Sequence, residues 1–212
     1  MDSDFQDLDT LMHGFGTDKG TNPTPSLIAK NYSYHYAKLL APIRYRKLKL
    51  LEIGVARGAS LRTWHAFLPN SEIYGIDVKE SAALQAADRT RVFIGDQSDP
   101  KFLAHVLQEM GGYADIVIDD GSHKSSDQLL SLNTLFRYVT GIGFYAIEDL
   151  HVQGLFEYGT GTCDSARALA QLLLTGRDTG NAGDVIGVVP WLLGMSVFRN
   201  IWFLFRNTCS VS

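Results

Sequence analysis

With 212 residues and a formal charge of −4, the chain is long enough for one domain with a full core and too acidic to be a general binder of nucleic-acid backbones. Hydrophobic residues make up 45% and charged residues 20%, an ordinary balance for a soluble globular protein. Two cysteines, Cys163 and Cys209, are too few for a disulfide framework or a thiolate zinc centre, so a reducing cytoplasmic setting is expected.

The first residues, Met1 to Asp7, are acidic and lack the basic and apolar regions of a signal peptide. Residues 26–40 read as an amphipathic helix carrying Tyr32, Tyr34 and Tyr36, placed to cover either a sheet edge or the mouth of a site. Residues 1–45 are thus expected as a helical cap on a core of residues 46–212, one domain in all. The core opens with an apolar run at 48–53, which reads as a buried strand. The chain then turns through Gly54 and Gly58 into a helical pattern from Ser60 to Phe67.

That alternation continues. Strands are predicted at 72–76, 91–94, 114–118 and 144–147, and helices at 81–87, 101–110 and 126–138. Asp99 followed by Pro100 marks a helix start, with an acceptor side chain at the cap and a residue that needs no N–H donor at the first position. Strand–helix–strand repetition means crossovers and a parallel sheet. Beyond Glu148 a helix is expected at 164–174 and a polar loop at 175–184. Strands at 184–189 and 200–205 then follow with too little chain between them for a helical crossover, so they form a terminal antiparallel pair. The predicted fold is α/β and Rossmann-like, with seven mostly parallel strands and helices on both faces. The uncharged stretch 185–198 is shorter than the roughly 20 residues of a membrane span and contains Gly187, Pro190 and Gly194, so no membrane partner is expected. The region of Trp191, Trp202 and several Phe residues suits either the core or the interface of a homo-oligomer, and both readings stand open.

In an open parallel sheet, ligands gather at the carboxyl ends of the strands. All five predicted parallel strands end in acid: Glu52, Asp77, Asp96, Asp119-Asp120 and Glu148-Asp149. The spacing Glu52-x-Gly54-x-x-x-Gly58 differs from the dinucleotide G-x-G-x-x-G. A carboxylate before the first glycine repels phosphate and suits an amino-acid ammonium, which favours S-adenosylmethionine over NAD. Glu52, Gly54, Gly58 and Ser60, the last at a helix N-terminus, are therefore read as cofactor residues. Asp77 is positioned for the ribose hydroxyls, and Asp96 and Gln97 for adenine. Asp119 is counted with the same set. Asp120, Glu148 and Asp149 can converge from neighbouring strand ends as hard oxygen donors for Mg²⁺ or a similar cation. His123 lies beside them as a candidate general base, since imidazole titrates near neutrality. A nicotinamide-dependent oxidoreductase and a non-catalytic cofactor-binding module are the alternative functions.

With those residues in place, the chain resembles the class I S-adenosylmethionine-dependent methyltransferases, and more narrowly the metal-dependent O-methyltransferases of macrolide and rhamnosyl sugars. The likeness rests on Gly16-Thr-Asp-Lys-Gly20, Leu51-Glu-Ile-Gly-Val55, Tyr74-Gly-Ile-Asp77, Gly95-Asp-Gln-Ser-Asp99, Asp115-Ile-Val-Ile-Asp-Asp-Gly-Ser-His123 and Ile147-Glu-Asp-Leu150. The resemblance implies a metal on Asp120, Glu148 and Asp149 with His123 as base. It also implies that Thr17 and its neighbours fold over the cofactor or the acceptor, and that the acceptor is a small-molecule hydroxyl, a sugar or a vicinal diol. The chain departs from the family pattern at residues 152–158 and 21–25, where the acceptor pocket is usually shaped by aromatic residues.

Overall fold

The computed structural model describes residues 3–21, 30–152, 155, 157–176, 185, 187–198 and 200–207. Each apolar run forms a strand whose side chains alternate between two helical layers. The strands are β1 (Lys49–Ile53), β2 (Glu72–Asp77), β3 (Thr90–Ile94), β4 (Ala114–Asp119), β5 (Val139–Ile147), β6 (Leu192–Val197) and β7 (Trp202–Arg206). They lie in the order β3-β2-β1-β4-β5-β7-β6, with β1 to β5 parallel and β7 antiparallel to both of its neighbours. Every residue of β4 is buried, as expected of a central strand covered on both faces.

The helices are α1 (Ser3–Phe15), α2 (Tyr32–Leu40), α3 (Ala59–Phe67), α4 (Pro100–Glu109), α5 (Ser125–Leu135) and α6 (Gly161–Thr175). On one face, Leu103 and Val106 of α4, Leu132 of α5 and Leu169 of α6 pack with Leu51, Val117, Tyr145 and Trp202 of the sheet. On the other face, Leu8 and Met12 of α1, Tyr36 of α2 and Trp64 of α3 pack with Leu50, Ile116, Phe144 and Phe203. Asp99 caps α4 through Lys101 N–H at 2.8 Å, with Pro100 at the first turn.

Three expectations change. The segment read as a helix at 81–87 is a 3-10 turn over Glu80–Gln85, ended where Ala86 becomes extended and Ala87 pairs with Thr90. The first strand of the terminal pair is Leu192–Val197 rather than 184–189. Pro190, which donates no N–H, sits instead in a 3-10 turn over Val189–Trp191, and the pairing with β7 begins beyond it. The helix read at 26–40 is present as Tyr32–Leu40, and residues 22–29 lie outside the described residues, as do 177–184 of the polar loop and Cys209. Helix α1 had not been anticipated, although Phe5, Leu8, Met12 and Phe15 carry its spacing. Among the described residues no helix is long and apolar enough to cross a membrane.

Trp202 is fully buried within the sheet's core. Trp202→Ala is expected to cost about 3–5 kcal/mol of unfolding free energy, read by urea titration. A loss below about 1 kcal/mol would place that ring outside the core.

Candidate functional site

The parallel register brings all five acidic ends to one edge of the sheet. There a cavity of about 650 Å³ opens between the glycine turn after β1 and the residues following β4 and β5. Thr17, Gly54, Ser60, Asp77, Asp96, Gln97, Asp120, His123 and Asp149 of the predicted set line it. Glu52, Gly58, Asp119 and Glu148 do not, and their carboxylates and backbone work behind the wall.

The glycine turn is shaped by two demands. Gly54 has φ +96°, and a Cβ there would lie 2.1 Å from the Asp120 carbonyl oxygen, so only glycine lets the β1 and β4 ends approach. Asp77 then ties the turn down, its Oδ2 accepting from Val55 and Ala56 N–H at 3.0 and 2.8 Å. Its Oδ1 accepts from Lys79 N–H at 2.8 Å. Gln97 is similarly engaged within the protein: its amide nitrogen donates to Asp119 and Ser131, and its oxygen accepts from Ser122 N–H at 2.7 Å. It holds the wall more than it presents a free amide. Asp96 is exposed, and its Oδ1 caps the next turn through Ser98 N–H.

In the same wall, one donor atom each from Asp120, His123 and Asp149 lies within 4.8 Å of the others. His123 Nε2 stands 3.6 Å from Asp149 Oδ2. The third predicted acid, Glu148, stands just outside this group, sharing the Lys19 ammonium with Asp120. It is fully buried, accepting from the Tyr36 hydroxyl at 2.5 Å and from the Lys19 ammonium at 2.6 Å. Lys19 also meets Asp120 Oδ2 at 2.5 Å and approaches Glu52 Oε1 to 3.5 Å, while Glu52 accepts from Ser60 Oγ at 2.7 Å. Lys30 bridges Asp149 and Asp18, 2.9 Å from each. The Tyr32 hydroxyl lies 3.0 Å from Asp149 Oδ1 and accepts from Asp149 N–H.

These contacts set the charges. Burial alone would lower the Lys19 ammonium, but Asp120, Glu148 and Glu52 outweigh it and hold the group charged. Burial would raise Asp149, but Lys30, with His123 and Lys19 adding to it, more than reverses that. Burial pushes Glu148 up to about 8, with Lys19 opposing and Asp120 adding to the rise. It pushes Asp119 up to about 7 against the pull of Gln97 and of Gly121 N–H.

Backbone strain marks the same place. Ala56, His123 and Asp149 have φ of +48°, +60° and +59°, and all three line the cavity. Each non-glycine residue in that region costs roughly 1–2 kcal/mol, held in place by surrounding structure. Lys19 and Lys30 were not singled out among the site residues from the sequence. Lys19 lay within a quoted motif, and Tyr32 and Tyr36 share a helix face four residues apart. Lys30 carries no such signal.

No protein-family model matches the chain. It is 38% identical over 126 residues to the 8-demethyl-8-(2-methoxy-alpha-L-rhamnosyl)-tetracenomycin-C 3'-O-methyltransferase of Streptomyces olivaceus, and 36% identical over 126 residues to the mycinamicin VI 2''-O-methyltransferase of Micromonospora griseorubida. Each alignment covers 56% of this chain and 31% of the relative. The solved structure of the MycE methyltransferase from the mycinamycin biosynthetic pathway, in complex with Mg and SAH, superposes with a TM-score of 0.81 at 26% identity, covering 95% of this chain and 54% of that one. The chain thus spans about a third of the length of the curated relatives and about half of that structure. Its fold is that of the class I S-adenosylmethionine-dependent methyltransferases, and its likeness is to those that methylate sugar hydroxyls.

The Asp119 carboxyl, raised by burial, favours the folded state in its neutral form. That contribution is full below about pH 4 and is lost as pH rises through about 7. Asp119→Asn is therefore expected to remove a decline in stability between those limits, on the order of a few kcal/mol, in urea titrations across pH. An unchanged pH profile would contradict the assignment.

Proposed function

We propose that the chain is an S-adenosylmethionine-dependent, Mg²⁺-assisted O-methyltransferase acting on a hydroxyl of a small glycosylated acceptor. The observation that carries this reading is the Asp120–His123–Asp149 group in the wall of the 650 Å³ cavity, which the glycine turn and Asp77 also line. Two carboxylates with ligand atoms within 4.8 Å of each other fit a hard divalent cation, with the imidazole close by as base, and a cavity of this size suits a nucleoside-bearing cofactor.

S-adenosylmethionine supplies an activated methyl on a sulfonium, and a divalent cation lowers the pKa of a hydroxyl brought beside it. Gly54 to Ala56 give a wall that backbone can approach closely, and Asp77 fixes that wall while facing the cavity. Thr17 and Asp18 border the same space from the turn after α1. Asp120 and Asp149 would hold the cation. His123, its ring beside Asp149, takes the proton from the acceptor hydroxyl. S-adenosylmethionine bound there would supply its methyl to that oxygen and leave as S-adenosylhomocysteine. Opposite charges are cancelled in that step, so the protein's chief contributions are alignment and exclusion of water. Glu52 and Asp119 act from behind the wall, Glu52 by anchoring Ser60 at the start of α3 and Asp119 by holding Gln97.

His123→Ala is expected to lower turnover by about 10²–10⁴-fold while leaving S-adenosylhomocysteine affinity, measured by calorimetry, within about threefold. EDTA is expected to abolish methyl transfer and Mg²⁺ to restore it. Full turnover after exhaustive chelation, or in the histidine variant, would remove the corresponding role.

A further inference from the structure

Lys19 is a buried cation that the methyl-transfer steps above do not use. Its side chain is 1% exposed and joins three strand ends: Asp120 after β4 at 2.5 Å, Glu148 after β5 at 2.6 Å, and Glu52 of β1 at 3.5 Å. It arrives from the turn following α1, where Gly16, Thr17 and Asp18 line the cavity. Its own carbonyl accepts from Ser33 N–H of α2 at 3.0 Å. Asp120 therefore serves two masters, anchoring this strap through Oδ2 while belonging to the group with His123 and Asp149. Glu148 has both oxygens engaged, by Lys19 and by Tyr36. An ammonium and a divalent ion make the same demand on a carboxylate oxygen, and two cations a few ångströms apart repel strongly where water is scarce.

We propose that Lys19 is a resident counter-cation of the acidic strand ends, a positioning residue that competes with the divalent ion for Asp120 and Glu148. Divalent affinity is then set by how firmly the strap after α1 is latched, and the strap loosens as the ion binds. The proposal rests on the reading that a divalent cation binds at Asp120 and Asp149.

Mn²⁺ titration of the full chain, followed by calorimetry and by the spin-resonance signal of free Mn²⁺, tests it without any turnover measurement. Lys19→Gln is expected to bind Mn²⁺ at least about tenfold tighter than wild type, and Lys19→Gln with Glu148→Gln to return to within about threefold. In the wild-type chain, saturating Mn²⁺ is expected to speed hydrogen exchange of the amides from Gly16 to Gly20. That measurement needs no variant and stands even where Lys19→Gln fails to fold. Equal or weaker binding by Lys19→Gln overturns the proposal, as does slowed or unchanged exchange. Tight wild-type binding with no gain in the variant removes only the role of Lys19. Absence of Mn²⁺ binding from both removes the cation reading as well.

Discussion

Convergence of negative charge at one sheet edge is the constraint on which the rest of the structure depends. Parallel pairing from β3 through β5 aligns the strand ends, and each end carries a carboxylate. Carboxylates so gathered repel one another, and burial makes each charge more costly. The protein meets this in three ways. Lys19 and Lys30 supply positive charge from the N-terminal segment. Backbone N–H groups saturate Asp77, and hydroxyls of Ser60, Tyr32 and Tyr36 meet Glu52, Asp149 and Glu148. Asp119, enclosed with Gln97 and Tyr145, shifts toward its neutral form. Helices α1 and α2 are therefore part of the site's electrostatics as much as a cover for hydrophobic surface.

The core of this arrangement was legible in the chain because it depends on local signals. Apolar runs ending in acid gave four of the five parallel strands nearly to the residue and only the last four residues of β5, and Asp99-Pro100 gave the start of α4. The positions of Asp120, His123 and Asp149 follow from strand ends alone. What local pattern could not give was the assignment of partners. Nothing in the neighbourhood of Glu148 distinguishes a cation ligand from the acceptor of a buried ammonium 129 residues away. Asp77 and Gln97 show the same limit, since a residue at a strand end can face a ligand or brace the loop that does. The terminal strand was misplaced for a simpler reason: Val185 to Val189 has strand-forming residues, but Pro190 shifts regular pairing to its far side.

Left-handed backbone at Ala56, His123 and Asp149 is a further sign of what the scaffold is arranged to do. Regular strands and helices would point these residues elsewhere. Packing on both faces of the sheet holds the strained turns, so that donor groups from separate strands meet in the wall of the cavity.

The ammonium bridge from residue 19 to residues 120 and 148 also bears on how the molecule assembles. A ribosome releases the first turn long before either acid exists, so that early stretch must wait, solvated and unattached, while more than a hundred residues follow. Closing so wide a chain loop is entropically slow. The bridge therefore forms only once the strand ends at 120 and 148 have been made and brought side by side.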